Sequence, residues 1–122
     1  MAVVASAARP ASVSAVKASI RAEGGQAQAF RCDITDRDSV DAAVAETEKS
    51  LGPIDVLINN AGWDVFKPFT KTEPAQWDKL IAINLTGAFL CSRAALADMY
   101  ANKWGRIVNV ASIAGLQGSA YI

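Results

Sequence analysis

Short apolar runs alternate along the chain with longer segments of helical periodicity. The apolar runs predict four strands, at Ala2–Ala5, Ala27–Cys32, Ile54–Ile58 and Arg106–Ala111. We expect the third of them to be buried on both faces, as the inner strands of parallel sheets are. The chain is therefore organised around a sheet.

Three helices are predicted between these strands. The first covers Pro10–Ala22, since proline suits a first helical turn. Thr35 or Asp36 can cap the second, which extends to about Ser50. A third begins at Glu73-Pro74 and reaches about Asn102. The inward face of the second helix is expected to carry Val40, Ala43, Val44 and Thr47.

This alternation of strand and helix is typical of one fold class. It predicts an α/β domain with a parallel sheet covered by helices on both sides, a doubly wound, Rossmann-like arrangement. A chain of 122 residues suits a single domain, and neither repeats nor interdomain linkers interrupt it. We expect one domain over residues 1–122.

Composition excludes several kinds of function. Twelve basic residues balance twelve acidic ones, so there is no electrostatic reason to expect nucleic acid or an anionic membrane as a partner. The chain has no histidine, which rules out a histidine-based catalytic dyad and a histidine-containing metal site. Cys32 and Cys91 match no metal spacing and suggest buried thiols in a reducing cytoplasm. We therefore expect a cytoplasmic protein without a metal site.

One apolar segment, residues 80–97, raises the question of a membrane helix. It carries Asn84, Thr86, Ser92 and Arg93. Polar and charged side chains are costly inside a bilayer, so we expect a helix of a water-soluble domain.

Polar residues follow three of the predicted strands. Asp33 follows the second, Asn59 and Asn60 follow the third, and Ser112 follows the last. Ligands of open α/β sheets bind at the carboxyl ends of the strands, so the three positions together predict a binding site. Each residue also has a structural explanation as a turn cap or a loop brace.

Four motifs in this pattern resemble those of a known family. They are CDITD at 32–36, IDVLINNAG at 54–62, NLTG at 84–87 and GRIVNVAS at 105–112. In this order they resemble the short-chain dehydrogenase/reductases over nearly the whole chain. Residues 59–88 are most similar to alicyclic hydroxyacyl-CoA dehydrogenases of the 2-hydroxycyclohexanecarboxyl-CoA type, and 3-oxoacyl reductases share much of that stretch.

The resemblance implies a nicotinamide cofactor and its contacts. Asp33 would accept a hydrogen bond from the adenine amine, and Ile34 would lie beside the ring. The residues that would line the cofactor crevice are Asn59, Ala61 and Gly62.

The resemblance also implies catalytic roles. Asn84 would lie at a break in the long helix and hold a proton-relay water, and Ser112 would orient the substrate oxygen. Tyr121 would exchange the proton, although a phenol with a pKa of about 10 needs a nearby cation to serve as a base. The implied reaction transfers hydride between nicotinamide and a small-molecule alcohol or ketone, including an acyl-CoA thioester.

The sequence departs from the family pattern at three places. No glycine-rich turn precedes Ala2–Ala5, the family's lysine would fall beyond Ile122, and Ser112 and Tyr121 are closer together than is usual. These departures favour an alternative, a truncated and catalytically silent α/β module. It would self-associate or assemble with intact paralogues through sheet edges that a missing first strand leaves open.

The turn after the first predicted strand bears on cofactor choice. It contains Ser6 and Arg9 and no acid, which favours the 2′-phosphate of NADP(H). Arg9 could equally be a solvated loop residue. The alicyclic dehydrogenases that the chain resembles point to NAD(H).

Overall fold

The computed structural model describes residues 10–117. Its helices are α1 (Pro10–Ala22), α2 (Arg37–Leu51), α3 (Pro74–Ile81) and α4 (Gly87–Ala101), and its strands are β1 (Val56–Asn59) and β2 (Arg106–Asn109). Short 3₁₀ turns cover Phe69–Lys71 and Ile113–Gly115. The predicted strand Ala2–Ala5 lies outside the described residues.

The predicted helix ends agree closely with those in the structure. The first helix is confirmed at Pro10–Ala22. Asp36, one of the two predicted caps, begins α2 by accepting a hydrogen bond from the backbone N–H of Asp38 at 3.1 Å. The helix ends at Gly52, whose φ of 91° lies in the region that favours glycine.

The two strands form a parallel pair, joined through α3 and α4. Val56 is paired with Arg106 and Asn59 with Asn109, so the strands end at the same level. Parallel strands need a crossover connection, which the long helix provides. The predicted α/β class with a parallel sheet is therefore present in the described chain.

Two strand predictions were wrong. Ala27–Cys32 forms no strand, because nothing among residues 10–117 pairs with it, although Ala27 and Cys32 are both buried. The third predicted strand is not buried on both faces: Val56 is 46% and Ile58 61% exposed. Within the described chain, helix covers only one face of the pair, through α4.

The core lies between α2, α4 and the segment that precedes α2. Cys32, Val40 and Ala43 form a buried cluster. The partly buried apolar residues packed against it are Ile34, Leu90, Cys91 and Ala94. Asp98 of α4 adds a hydrogen bond, in which its Oδ2 accepts from the backbone N–H of Ile54 at 2.6 Å. That bond fixes the start of β1 against α4.

The connection between the strands is one long helix with a wider turn in its middle. A π-helical turn at Ala82–Thr86 joins α3 to α4, which confirms the predicted break around Asn84. By length and composition, the 28-residue helix from Pro74 to Ala101 could cross a membrane, since a window of 18 residues within it has a mean hydropathy of 1.6. In the fold, the inner face of this helix packs against α2 and both strands.

Candidate functional site

The carboxyl ends of β1 and β2 form a common edge. Asn59 and Asn109 end the two strands and are direct partners in the register. The ladder continues for one more bond, from the backbone N–H of Val110 to the carbonyl of Asn59 at 2.9 Å. Because the strands are parallel, the loops that follow them leave from the same side, which is where ligands of such sheets bind.

Asn59 braces this edge from within. Its Nδ2 donates to Oδ1 of Asn109 at 2.8 Å and to Oγ of Ser92 at 3.1 Å. The side chain is half-buried, so these bonds replace water that it has partly lost. One amide group thus joins β1, β2 and α4.

Asn84 holds the loop that follows β1. In the π turn, its Oδ1 accepts the backbone N–H of Trp63 and its Nδ2 donates to the carbonyl of Trp63, both at 2.8 Å. A Cβ atom on Gly62 would lie 3.6 Å from the same Oδ1. Lys79 adds a cation–π contact, with Nζ 4.4 Å from the Trp63 ring centre. Asn84 and Gly62 are therefore neighbours, as a shared site requires.

Asp33 lies in a tight turn before α2. Its Oδ1 accepts from Oγ1 of Thr35 at 2.7 Å and from the backbone N–H of Thr35 at 3.0 Å. These two bonds hold the pKa of the Asp33 carboxyl below its ordinary value. Ser39 supports the turn, since its Oγ accepts the backbone N–H of Asp33 at 2.9 Å. Asp33 therefore caps this turn, as its structural explanation predicted. Its exposed carboxylate is an anionic hydrogen-bond acceptor at neutral pH.

Ile34, Asn59 and Ala61 line one cavity of about 440 Å³. The cavity opens beside β1, between α2 and α4, and is mainly apolar. Ile34 also packs on Gly87, where a Cβ atom would come within 2.6 Å of its Cδ1. The close approach of this side chain to α4 requires glycine at that position.

Cys32 and Cys91 line the same cavity. Burial is the main cause that raises the pKa of each thiol. Both therefore stay protonated at neutral pH, so neither is a nucleophile there.

Ser112 follows β2 and is exposed. Its Oγ accepts the backbone N–H of Ala114 at 3.2 Å and so begins a short 3₁₀ turn. This is the local structural role that a loop serine was expected to have. Tyr121 and Arg9 lie outside the described residues.

Three residues of this edge were not among the predicted site residues. Asn109 could have been found from the sequence, since both strands end in asparagine after apolar residues. Ser92 and Trp63 gave no such signal, because their contacts with Asn59 and Asn84 exist only once the helix has packed on the sheet. Residues 10–117 hold no group of three or more side chains suited to a metal ion.

Comparison with known proteins agrees with this arrangement. The family model of the short chain dehydrogenases matches residues 1–122. The chain is 43% identical over 95 residues to the inactive 2-(S)-hydroxypropyl-CoM dehydrogenase 2 of Xanthobacter autotrophicus, covering 78% of this chain and 41% of that protein. It is 39% identical over 105 residues to a 3-oxoacyl-[acyl-carrier-protein] reductase of Synechocystis, covering 86% and 42%.

Solved structures show the same fold. An NAD⁺-bound xylitol dehydrogenase superposes with a TM-score of 0.90 at 32% identity, over 98% of this chain and 46% of that one. A metagenomic short-chain oxidoreductase in complex with NADP gives 0.87 at 38% identity, over 96% and 53%. The fold is therefore that of the nicotinamide-dependent α/β oxidoreductases.

The chain belongs to the short-chain dehydrogenase family. It spans about two-fifths of the length of the curated relatives that it matches.

Proposed function

We propose that this chain serves hydride transfer between a nicotinamide cofactor and the hydroxyl or ketone carbon of a small molecule. The observation that carries the proposal is the bonding of Asn84 to the backbone of Trp63, which ties the π turn of the long helix to the loop after β1. π turns inside helices are frequent at functional sites, and this one lies beside the edge where α/β sheets bind ligands.

The cofactor would bind along the carboxyl edge. Asp33 is suited to accept from the adenine amine, because its lowered pKa keeps it anionic and no residue among 10–117 bonds to its Oδ2. Ile34 offers an apolar contact for the ring beside it. Asn59, Ala61 and Gly62 would line the crevice, with Asn59 held in place by Asn109.

The bound nicotinamide would supply or accept the hydride, and the protein would handle the proton. Ser112 would orient the substrate oxygen, and Tyr121 would exchange the proton with it. Asn84 would hold a relay water. Its side-chain oxygen and nitrogen each have one bond to Trp63, and an amide oxygen can accept a second.

Cofactor and substrate preferences are part of the proposal. The two structural neighbours are bound to NAD⁺ and to NADP, so the family likeness leaves both open. We favour NADP(H), because Ser6 and Arg9 follow the first predicted strand and no acid does. A thioester-linked ketone or alcohol fits the similarity to a 3-oxoacyl reductase. The two thiols, Cys32 and Cys91, favour a cytoplasmic location.

The proposal can be tested by binding and by turnover. Titration with NADPH and NADH, followed by tryptophan fluorescence, should give saturable binding with NADPH tighter. Loss of absorbance at 340 nm with a 3-oxoacyl thioester should be abolished by Ser112→Ala. The matched control is Ser50→Ala on the exposed side of α2, which should leave the rate unchanged. No saturation with either cofactor would refute the proposal.

A second function is favoured by one relative and by the exposed apolar residues of β1. The Xanthobacter relative is itself described as inactive. The chain would then be a silent α/β module that associates with itself or with longer relatives through β1, whose Val56 and Ile58 are exposed. Concentration-dependent association together with no cofactor binding would support this alternative. A Val56→Lys variant should then abolish the association.

A further inference from the structure

The two cysteines of the sequence line the same cavity, although they lie far apart along the chain. Cys32 belongs to the segment that precedes α2, and Cys91 belongs to α4. Cys32 is buried, and Cys91 packs on the cluster that Cys32 forms with Val40 and Ala43. Folding therefore brings both thiols to one place.

The two thiols also influence each other's ionisation. Burial is the main cause that raises the pKa of the Cys91 thiol, and the charge that Cys32 would carry raises it further. Burial likewise raises the pKa of the Cys32 thiol, against a bond to Ser39 that lowers it, and Asp33 and Asp36 add to the rise. Because interaction between charges weakens with distance, Cys32 and Cys91 are near neighbours.

Two neighbouring thiols can share a metal ion or form a disulfide bond. Structural zinc sites have four ligands. Among residues 10–117, no third histidine, cysteine or acidic side chain completes such a group around the pair. A bond between the two sulfur atoms needs no further ligand, so the pair is better suited to a disulfide.

We propose that Cys32 and Cys91 form a reversible disulfide bond with hydrogen peroxide as the oxidant, and that this bond closes the proposed cofactor crevice. Cys91 is the more exposed of the two, so its thiolate attacks the peroxide first. One peroxide oxygen stays on the sulfur as a sulfenic acid, and the other leaves as hydroxide, which the thiol proton converts to water.

The second step forms the bond. The thiolate of Cys32 attacks the sulfenic sulfur of Cys91 and displaces the second oxygen, which also leaves as water. Two thiols and one peroxide thus give one disulfide and two waters, and two electrons pass from sulfur to oxygen. A small thiol such as glutathione reverses the reaction by exchange.

The ionisation of the thiols sets the rate. Only the thiolate reacts, and both thiols are protonated at neutral pH because their pKa values are raised. Oxidation should therefore be slow at pH 7 and should become about tenfold faster for each pH unit up to the thiol pKa.

The bond would change the cavity that the cofactor is proposed to use. Ile34, Asn59 and Ala61 line this cavity together with the two cysteines. A disulfide holds its two Cβ atoms about 3.8 Å apart, so it would fasten the segment before α2 to α4 beside Ile34. This consequence rests on the proposed function, whereas the formation of the bond does not.

Mass spectrometry after treatment with hydrogen peroxide at pH 8.5 tests the bond. The intact chain should become about 2 Da lighter, since two hydrogen atoms are lost. Trypsin should then release a peptide that links residues 32–37 to residues 80–93, and dithiothreitol should separate it. A chain that keeps both thiols, or that links them only between two molecules, would overturn the proposal.

Single substitutions test the order of the two steps. Cys32→Ala should accumulate a sulfenic acid at Cys91 that dimedone labels, because no second thiol is there to remove it. Cys91→Ala should show much less labelling at the buried Cys32. Stronger labelling of Cys32 than of Cys91 would contradict the assigned order.

Thermal unfolding tests whether the bond fits the fold. The disulfide closes a long loop of the unfolded chain, so oxidation should raise the melting temperature by about 5–10 °C. Peroxide should leave the melting temperature of Cys91→Ala unchanged. A lower melting temperature of the oxidised chain would show that the two segments must be distorted to bond, which would overturn the proposal.

Titration with NADPH separates the bond from its effect on the cofactor. The oxidised chain should bind NADPH about tenfold more weakly than the reduced chain, and dithiothreitol should restore the affinity. In Cys91→Ala, peroxide should leave the affinity unchanged. Equal binding by both forms would overturn the closure of the crevice. No binding by the reduced chain, with the 2 Da loss still present, would refute the proposed function and leave the disulfide intact.

Discussion

The two asparagines of the candidate site differ from its two turn residues in how far along the chain their bonds reach. Asn59 and Asn84 bond to residues 21 to 50 positions away, across strands and helix. The side chains of Asp33 and Ser112 bond two residues ahead, within their own turns. The asparagines therefore stabilise the carboxyl edge of the sheet, whereas Asp33 and Ser112 lie in turns and bond only within them.

This difference determines which side chains are available to a ligand. The Asn84 amide already has one donor and one acceptor in use, and Asn59 is half-buried. Asp33 and Ser112 are exposed and keep unused acceptor positions. We expect substitution of the asparagines to lower stability in addition to disturbing the proposed site, and substitution of the turn residues to affect binding and turnover with little change in stability.

The largest expected effect is that of Asn84→Ala. It removes both bonds to Trp63 and should lower the free energy of unfolding by about 2 kcal/mol, at about 1 kcal/mol per hydrogen bond. Urea unfolding measures this loss, and hydrogen exchange at the Trp63 amide should become faster. Asn84→Asp, which keeps the acceptor and loses the donor, should lose about half as much. Unchanged exchange at Trp63 in Asn84→Ala would refute the bracing role.

Asn59→Ala should have the next largest effect. It removes the bonds to Asn109 and Ser92, and the loss should be about 1.5 kcal/mol in urea unfolding. The control Ser92→Ala removes only one of these partners, so it should lose roughly half of that. If Ser92→Ala lowered the free energy of unfolding as much as Asn59→Ala, the bond between Asn59 and Asn109 would contribute nothing to stability.

Ser112→Ala should change stability little. The lost bond to Ala114 lies in an exposed turn, and we expect about 0.5 kcal/mol or less in urea unfolding. Hydride transfer should nevertheless fall below detection, because the substrate oxygen loses its orienting group. A stability loss as large as that of Asn84→Ala would show that Ser112 belongs to the framework instead.

Substitution of Asp33 by asparagine should have the smallest effect on stability, and the size of that effect should depend on pH. The pKa of its carboxyl is lowered from 3.8 mainly by the Thr35 hydroxyl. A lowered pKa in the folded state stabilises the fold above the ordinary pKa, and the contribution is lost as the pH falls through the lowered value. The melting temperatures of the unaltered chain and Asp33→Asn should therefore converge at acid pH.

The control for Asp33 is Thr35→Val, which removes the hydroxyl but keeps the carboxylate. An NMR titration of the carboxyl should show the Asp33 pKa moving back toward 3.8 in that variant. An unmoved pKa would contradict the assigned cause.

Local signals in the sequence predicted most helix ends and the residues of the edge. Proline at the start of α1 and the cap at Asp36 act within a few residues, so their helices could be placed from sequence. Strand formation at Ala27–Cys32 could not, because it depends on a partner strand that the described chain does not contain. The burial of Ile58 likewise depends on what covers the far face of β1.

The sequence predicted where Asn59 and Asn84 lie, at a strand end and at a break in the long helix, but not the bonds that they form. Strand ends and motifs indicated Asn59 and Asn84. Their partners Ser92 and Trp63 were set by the packing of the long helix on the sheet, which periodicity alone does not fix.

Cofactor binding at the carboxyl edge is tested most directly by an NMR titration of the ¹⁵N-labelled chain with NADPH. We expect saturable shifts at Asp33 and Ile34, over residues 59–62 and around Ser112, with the side-chain amide signals of Asn59 and Asn84 retained. Absence of shifts at the carboxyl edge, or shifts confined to residues far from it, would contradict the claim that this edge is a nicotinamide-cofactor site.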